Sequence, residues 1–287
     1  MKNILIFGST GFIGNMFLEI LPKKVNLLII TRNKKKISKS IKKHNFKEVN
    51  IKNYKFISKK NANIFQELDY IINCAGAYPN GKNRSDLINI NYKIPKKIYN
   101  ISLSPKKKFF INMNTMLKNN KSIYVKYKHK LSKHFKRKNS MQTQIIDLFI
   151  SHLYGDFKYK REFINKIIND IRIKKNTINL TSCKQKRDFI HIIDFKKCIL
   201  KILRIKNFNK NYNKFDLGSY KSHTLKKIVY LIKKTFNSDI KINFGYYAIN
   251  KNDDLNMNCK NSFGKYFTWK PKIKIDQGIK LLKKNLY

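Results

Sequence analysis

The sequence predicts an α/β protein built on a doubly wound parallel sheet, with a smaller C-terminal lobe. Two observations predict this fold. Short apolar runs alternate with amphipathic helical segments over the first half of the 287-residue chain, and this alternation is typical of a parallel sheet covered by helices. In addition, the first apolar run leads directly into a glycine-rich turn and a helix, which is how a Rossmann fold begins.

The first unit of this fold covers residues 4–30. The apolar run Ile4–Phe7 predicts a buried strand, and residues 8–14 read GSTGFIG. Apolar residues then recur at helical spacing until Pro22, and Val25–Ile30 predicts a second strand. In such a unit the glycines allow a tight turn, a close approach of the backbone to a pyrophosphate, and close packing of the helix on the strand. The residues expected to contact a dinucleotide are Gly8, Thr10, Gly11, Phe12, Ile13 and Gly14.

The later elements continue the alternation. We predict a helix over 34–43, a strand near Tyr54–Ile57, a strand over 68–73, a helix over 91–103, a strand from 108 into 115, a helix over 124–138 and a strand over 144–150. Beyond Gly155 the elements become shorter and the loops aromatic. We therefore expect a dinucleotide-binding domain over 1–158 and a substrate-binding lobe over 159–287, from which some segments return to the sheet.

Two further strand ends are expected to complete the cofactor site. The strand over 68–73 ends in the small residues Cys74, Ala75 and Gly76, at the sheet edge where ligands of such folds lie. After the second strand, an acidic residue would accept hydrogen bonds from the adenine ribose of NAD, but this chain has Arg32. Because a guanidinium suits a 2′-phosphate, NADP(H) is favoured over NAD(H).

Tyr124, Lys128 and Thr115 are the candidate catalytic residues. Tyr124 and Lys128 are four residues apart on the predicted helix, so they share a face. A nearby ammonium would stabilise the phenolate and prepare the tyrosine for proton exchange with an alcohol or ketone, and Thr115 could add a hydrogen bond. The same tyrosine–lysine spacing recurs elsewhere in this lysine-rich chain. The alternative is a half-buried tyrosine beside a solvated lysine.

Composition argues against a nucleic-acid-binding protein. The formal net charge is +48, from 64 Lys and Arg against 16 Asp and Glu. Lysine far outnumbers arginine, alanine is almost absent, and the charge extends from Lys2 to Lys284 without forming one stripe or tail. We therefore expect no specific nucleic-acid partner, although the positive field should speed the encounter with anionic substrates.

Cysteine spacing and hydropathy indicate in which compartment the protein works and whether it binds a metal or a membrane. The four cysteines form no metal-ligand pattern, so we expect a reducing compartment and no bound metal. No apolar stretch approaches the length of a transmembrane helix, and the N-terminal apolar run is too short for a signal peptide. The expectation is a cytoplasmic protein without a membrane partner.

Several motifs occur in the order seen in extended short-chain dehydrogenases/reductases. They are the glycine turn at 8–14, the strand end Asn73–Gly76, Thr115 with Tyr124 and Lys128, Leu153–Gly155, Arg187–His191 and Trp269–Pro271. The chain thus resembles the NAD-dependent epimerase/dehydratase family over nearly its whole length. Phe110–Thr115 and the short run to Tyr124 resemble the family's CDP-abequose synthase-like branch of nucleotide-sugar 4-ketoreductases. The resemblance implies a nucleotide-diphosphate sugar as substrate.

The resemblance also implies roles for single residues. Arg187 would contact the substrate diphosphate, whereas the residues alone also allow a surface ion pair between Arg187 and Asp188. Met116 and Leu117 replace the acidic pair of the family's 4,6-dehydratases, so dehydration is disfavoured. An arginine that relatives often have is absent from 149–152, and Lys251 stands where relatives often present another arginine.

Three classes of function stay open. The first is an NADP(H)-dependent reductase of a nucleotide-linked 4-keto-deoxysugar, with an NAD-dependent nucleotide-sugar epimerase as its alternative. The second is a non-catalytic dinucleotide-binding sensor. The presence of all three candidate catalytic residues argues against it. The third is a basic nucleic-acid-associated protein. The sequence identifies neither the sugar nor the nucleotide, and it admits a homodimer.

Overall fold

The computed structural model describes residues 1–79, 81–119, 121–138, 142–157, 162–251, 253–264 and 266–286. The chain divides into two compact units. The first comprises Met1–Thr115, Asn120–Phe149 and Ile205–Phe215, and the second comprises Met116–Asn119, Ile150–Arg204 and Asp216–Tyr287. The domain boundary expected between residues 158 and 159 lies outside the described residues.

Strands and helices alternate along the first half of the chain. The strands are β1 (Lys2–Phe7), β2 (Val25–Ile30), β3 (Glu48–Lys52), β4 (Tyr70–Asn73), β5 (Lys108–Thr115), β6 (Thr143–Ile150), β7 (His152–Tyr154), β8 (Thr177–Leu180), β9 (Lys186–His191), β10 (Tyr212–Leu217), β11 (Ser222–Thr224) and β12 (Lys241–Phe244). The α-helices are α1 (Phe12–Ile20), α2 (Lys34–Ile41), α3 (Ala62–Gln66), α4 (Arg84–Ile88), α5 (Ile94–Ser102), α6 (Ile123–Arg137), α7 (Phe163–Arg172), α8 (Ile192–Arg204), α9 (Leu225–Thr235) and α10 (Ile275–Lys284). A π-helical turn, Asn89–Lys93, joins α4 to α5.

The largest sheet confirms the predicted doubly wound fold. Its seven strands lie in the order β10-β6-β5-β4-β1-β2-β3. β1 pairs in parallel with β2 on one side and with β4 on the other, and the β2–β3 and β4–β5 pairings are parallel as well. The strand order therefore reverses beside β1. In an open parallel sheet, the carboxyl edge at this reversal is where ligands bind.

The apolar runs form strands because both of their faces are buried. Ile4 to Phe7 in β1 are all less than 3% exposed, as expected for a parallel strand covered by helices on each side. On one face, Leu5 and Phe7 belong to a cluster that includes Phe65 of α3, Tyr99 of α5 and Phe135 of α6. This packing holds the carboxyl ends of the central strands in place.

The second unit contains two small sheets, with the strand orders β11-β9-β7 and β12-β8. β9 pairs in parallel with β7 and antiparallel with β11. A separate apolar cluster includes Ile167 of α7, Ile228 of α9 and Ile279 of α10. The second unit therefore has a core of its own. Among the described residues, no helix is both long enough and apolar enough to cross a membrane.

The strand predicted near Tyr54–Ile57 is wrong. The third strand of the sheet is β3, and Tyr54–Phe56 form a single 3₁₀ turn. The cause is local, because the Asn53 side chain accepts a hydrogen bond from the Lys55 N–H at 3.0 Å and starts the turn. The aromatic side chains of Tyr54 and Phe56 pack against the core cluster that contains Leu5 and Phe7 of β1. They suggest a strand in the sequence, but they do not belong to one.

Candidate active site

The glycine turn after β1 has the shape that the sequence predicts. Gly8 has φ of +89°, a conformation that glycine adopts at little cost. A Cβ at Gly8 would lie 2.5 Å from the Ala75 backbone nitrogen, and a Cβ at Gly14 would lie 2.2 Å from the Gly8 carbonyl oxygen. Both positions therefore require glycine for the packing of the chain itself. The turn also brings two sets of predicted cofactor residues together, those of 8–14 and those of 74–76.

Gly11 differs from these two glycines. A Cβ at Gly11 would have one neighbour, the Gly8 carbonyl oxygen at 3.4 Å, which is an ordinary contact. Gly11 is the N-cap of α1, and no side chain caps this helix start. The positive end of the helix dipole therefore lies at a helix start without a side-chain cap, which suits the binding of an anion.

Lys128 is held at the carboxyl ends of β4 and β5. Its side chain is buried, and its Nζ donates to the carbonyl oxygens of Ala75 and Met113, each at 2.6 Å. Burial lowers the pKa of Lys128 from 10.5 to about 8, while the charge of Asp147 acts to raise it. The structure therefore excludes the solvated lysine of the alternative interpretation.

Tyr124 lies beside Lys128 and the Gly76 turn. A Cβ at Gly76 would lie 3.5 Å from Cε2 of Tyr124 and 3.9 Å from Cε of Lys128. The Tyr124 ring is buried on α6 and stacks on the ring of Tyr78, with centroids 4.2 Å apart and an interplanar angle of 26°. Tyr78 is 54% exposed and is absent from the sequence prediction, since a lone exposed aromatic after a strand carries no distinctive signal.

Thr115 is the last residue of β5 and is buried. Its backbone N–H bonds to the side chain of Asn114 at 2.8 Å, and its carbonyl oxygen lies 3.2 Å from Nε2 of His129 on α6. Two residues earlier in the same strand, Met113 supplies a carbonyl that holds Lys128. The strand end that carries Thr115 is thus tied to the helix that carries Tyr124 and Lys128.

A buried polar network lies under this strand end, and the sequence analysis missed it. Its centre is the carboxylate of Asp147 in β6, which is fully buried. The side chains that donate to this carboxylate belong to Asn112, Asn114, Ser132 and Tyr212. A carboxylate in the middle of the apolar run TQIIDLFI is the signal that could have revealed it, because a buried charge needs several hydrogen-bond partners.

Arg32 lies at the opposite end of the predicted cofactor site, after β2. Its guanidinium hydrogen-bonds to Tyr54, and it lowers the Tyr54 pKa against the larger, raising effect of burial. The Tyr54 ring packs edge-on against Phe7, the last residue of β1, at a centroid distance of 5.5 Å. Next to Arg32, Asn33 caps the start of α2 by accepting from the Lys36 N–H at 2.9 Å. An exposed guanidinium therefore stands near the carboxyl ends of β1 and β2.

Arg187 belongs to the second unit, where it is buried and paired. Its guanidinium forms a salt bridge with Asp253 at 2.5 Å and also donates to the carbonyl oxygens of Lys186 and Asp254. Asp188 does not pair with it, since its carboxylate accepts from the backbone N–H groups of Ser219 and Tyr220 at 2.6 and 2.9 Å. The surface ion pair between neighbours is therefore not formed.

Within the described part of the chain, no group of three or more His, Cys, Asp or Glu side chains is placed to hold a metal ion. The cysteines Cys74, Cys183, Cys198 and Cys259 are free. Burial raises the pKa of the Cys74 thiol far above its usual range, so Cys74 lines the turn as a neutral group. The groups that could do acid–base chemistry beside the glycine turn are therefore Tyr124 and Lys128.

The chain is similar to known proteins in sequence and in fold. The model of the NAD dependent epimerase/dehydratase family matches residues 4–218. CDP-abequose synthase from Salmonella muenchen is 27% identical over 290 residues, which cover 97% of this chain and 96% of that protein. The dTDP-4-dehydro-6-deoxyglucose reductase of Escherichia coli is 29% identical over 43% of this chain and 37% of its own. Among solved structures, UDP-glucuronic acid 4-epimerase from Bacillus cereus, in complex with UDP-glucuronic acid and NAD, covers both chains fully with a TM-score of 0.80 at 16% identity.

Proposed function

Because the chain belongs to the NAD dependent epimerase/dehydratase family, we propose that it is an NAD(P)-dependent oxidoreductase that acts on a nucleotide-diphosphate sugar. The specific reaction is the reduction of a 4-keto-deoxysugar with NADPH. Two observations support this proposal: the first suits proton exchange at an alcohol or a ketone, and the second suits NADP(H) as the cofactor of a net reductase. Tyr124 lies beside a buried, hydrogen-bonded lysine, and Arg32 rather than an acidic residue follows β2.

The glycine turn fits a dinucleotide. The packing of the chain explains why Gly8 and Gly14 lack side chains, but it does not explain Gly11, where a Cβ would meet only one atom at an ordinary distance. A ligand that lies against the start of α1 does explain it, because a methyl group there would keep a diphosphate away from the helix N–H groups. The residues that would hold the cofactor are those of the turn, the strand end 74–76, Arg32, Tyr124 and Lys128. When bound, NADPH supplies the hydride for carbonyl reduction.

Tyr124 is the proposed proton donor. During reduction its phenolic O–H gives a proton to the carbonyl oxygen of the sugar as that carbon becomes an alcohol. The cation of Lys128 stabilises the phenolate that remains, and Thr115 supplies a further hydroxyl at the end of β5. Stacking on Tyr78 restricts the ring of Tyr124, which reduces the entropy lost when the donor must adopt one orientation.

The number of acceptors around Lys128 carries the proposal. The ammonium of a lysine has three N–H donors. A second buried lysine, Lys108 of β5, uses all three, on the carbonyls of Gln66 and Ser102 and the hydroxyl of Ser104. Lys128 uses two among the described residues. Lys108 is thus satisfied as a structural residue, whereas Lys128 keeps a donor for a ligand beside Tyr124.

The substrate class and the direction of the reaction draw on the relatives. One is named a CDP-abequose synthase and another a 4-dehydro-6-deoxyglucose reductase, which supports a nucleotide-linked deoxysugar and reduction. Arg187 is the proposed contact of the substrate diphosphate, and it would exchange its bond to Asp253 for the phosphates, since guanidinium groups bind both anions in a bidentate way. Epimerisation is the second candidate, because the structural likeness includes a UDP-sugar 4-epimerase with NAD.

One experiment separates these reactions. Purified protein is mixed with a 4-keto-deoxysugar nucleotide and excess NADPH, and nicotinamide absorbance is followed. A reductase consumes NADPH over many turnovers, because it must release the oxidised cofactor in each cycle. An epimerase interconverts two sugar nucleotides without a net change in absorbance and retains its cofactor. Tightly bound NAD in stoichiometric amount, with sugar inversion and no consumption of NADPH, would overturn the reductase.

A further inference from the structure

We propose that Asp147 is a positioning residue of the active site: its buried carboxylate organises the two strand ends that hold Lys128 and supplies the negative charge that keeps the Lys128 ammonium protonated. The inference rests on the proposed function, because it assigns a catalytic use to Lys128. It concerns a residue of β6 that contacts neither cofactor nor substrate in the proposed reaction.

Hydrogen bonds link Asp147 to the first carbonyl that holds Lys128. The Asp147 Oδ1 accepts from Asn112 Nδ2 at 2.7 Å, and the Asn112 Oδ1 accepts from Asn73 Nδ2 at 2.7 Å. The Asn73 Oδ1 then accepts from the N–H of Ala75 at 3.3 Å. The carbonyl of the same Ala75 bonds to Lys128, so the network orients the turn that presents this acceptor.

A second branch reaches the other carbonyl. Asn112 and Asn114 flank Met113 in β5, and both side chains donate to Asp147, at 2.7 and 3.2 Å. Their side chains therefore anchor one face of the strand, while the carbonyl of Met113 between them accepts from Lys128. Asn114 also bonds to Ser132 at 2.5 Å, one helical turn beyond Lys128 on α6. Strand and helix are thus joined at the level of the lysine.

Charge gives the network a second role. Among the described residues, Asp147 and Cys74 are the side chains that act electrostatically on Lys128. The thiol of Cys74 is neutral because burial raises its pKa far above the usual range, and Tyr212 is likewise neutral for the same reason. Asp147 is therefore the anion that offsets the burial of the Lys128 ammonium. Without it, a lysine at this depth would release its proton at a lower pH.

The variant Asp147→Asn tests this role without removing the network. Oδ1 of Asp147 receives the asparagine amides, whereas Oδ2 receives the hydroxyls of Ser132 and Tyr212 at 2.5 and 2.8 Å. A hydroxyl can accept as well as donate, so both can reverse and accept from an amide placed at the Oδ2 position. The substitution therefore removes the charge and keeps the four side chains in contact with residue 147, while the O–H groups of Ser132 and Tyr212 lose the carboxylate as their acceptor.

The readout is the titration of the lysine itself, followed by NMR of protein labelled with ¹⁵N at the lysine Nζ, with Lys128→Met used for assignment. We expect the midpoint of Lys128 to fall by about one pH unit in Asp147→Asn. The midpoint of Lys108 should not move, since its charged neighbours are Lys106, Glu67 and Asp69. Ser132→Ala, which keeps the carboxylate, is the matched control and should leave both midpoints in place.

A second variant tests the positioning role and covers the case in which Asp147→Asn does not fold. Asn112→Ala cuts the link between Asp147 and Asn73 and keeps the charge, so NADPH affinity should fall by about tenfold while the Lys128 midpoint stays. An unchanged Lys128 midpoint in Asp147→Asn, or unchanged affinity in Asn112→Ala, would overturn the inference. The titration needs neither cofactor nor sugar, so a failure of the proposed reaction would leave it readable.

Discussion

Adding one methyl group at the start of α1 should have different effects at two glycines three residues apart: a loss of stability at Gly14 and a loss of NADPH affinity at Gly11. In Gly14→Ala the new Cβ would lie 2.2 Å from the Gly8 carbonyl oxygen and 2.6 Å from Cα of Ser9. Both atoms are backbone and cannot rotate away, so α1 must move off the turn. Overpacking of this kind costs about 1 to 3 kcal/mol. We take the upper value because no side chain can adapt.

Alanine also favours a helix over glycine by about 1 kcal/mol, which offsets part of this cost. The net expectation for Gly14→Ala is a loss of about 2 kcal/mol in the free energy of unfolding. In Gly11→Ala the backbone already has φ −83° and ψ 176°, which alanine adopts without strain. Its stability should change by less than about 0.5 kcal/mol. Its affinity for NADPH should fall at least tenfold, or about 1.4 kcal/mol.

Denaturant unfolding without cofactor measures the stabilities, and quenching or enhancement of NADPH fluorescence measures the affinities. The pair forms its own control, since the same chemical change is made at two positions of one helix start. Equal stability of Gly14→Ala and wild type would refute the packing argument. Wild-type NADPH affinity in Gly11→Ala would refute the assignment of this turn to a diphosphate.

Three further outcomes follow from the site. Tyr124→Phe should lower turnover by about two orders of magnitude or more, whereas Tyr154→Phe, which removes a buried hydroxyl without a partner among the described residues, should leave turnover unchanged. Arg32→Ala should weaken the binding of NADPH by about 1.5 to 3 kcal/mol and leave the binding of NADH nearly unchanged. Equal losses of affinity for the two cofactors in a titration would contradict the 2′-phosphate contact. Turnover should fall as the pH rises through about 8, the lowered pKa of Lys128, because the ammonium is lost. Between pH 8 and 10.5 the unfolded chain binds more protons at Lys128 than the folded chain, so the Lys128 contribution to the free energy of unfolding rises with pH. Titration of Lys128 therefore does not lower turnover by unfolding the protein. Unchanged turnover above pH 8 would contradict the role of the cation.

The central part of the fold was predictable because its signals are local. The run Ile4–Phe7, the glycine spacing of 8–14 and the helical period that follows are all read within a few residues. The edge strand β3 was misplaced for the opposite reason. Its residues are partly exposed, so it lacks the apolar run of a central strand, whereas the aromatic pair of the neighbouring 3₁₀ turn imitates one.

Asp147 inside an apolar run signals that a buried polar network exists, but the partners in this network could not be predicted, because they depend on register. Asn73 and Asn112 meet since they are directly paired across β4 and β5, and a shift by one residue would turn one of them to the opposite face. Sequence shows polar residues inside apolar runs at 73, 112, 114 and 147. It does not show that Asn112 and Asn114 donate to the carboxylate of Asp147, or that Asn73 joins them through Asn112.

A tyrosine followed four residues later by a lysine occurs in two different structural settings in this chain. Tyr92 and Lys96 have the spacing of Tyr124 and Lys128, and in the structure Lys96 Nζ lies 5.6 Å from the centre of the Tyr92 ring in a cation–π contact. Such a contact leaves the ammonium available to water. Lys128 instead reaches the carbonyls of two strand ends, which only a helix packed at the carboxyl edge of the sheet can do. Helical spacing places the two side chains on one face, but the strand ends under that face decide whether the lysine is a surface group or a buried group held by backbone carbonyls.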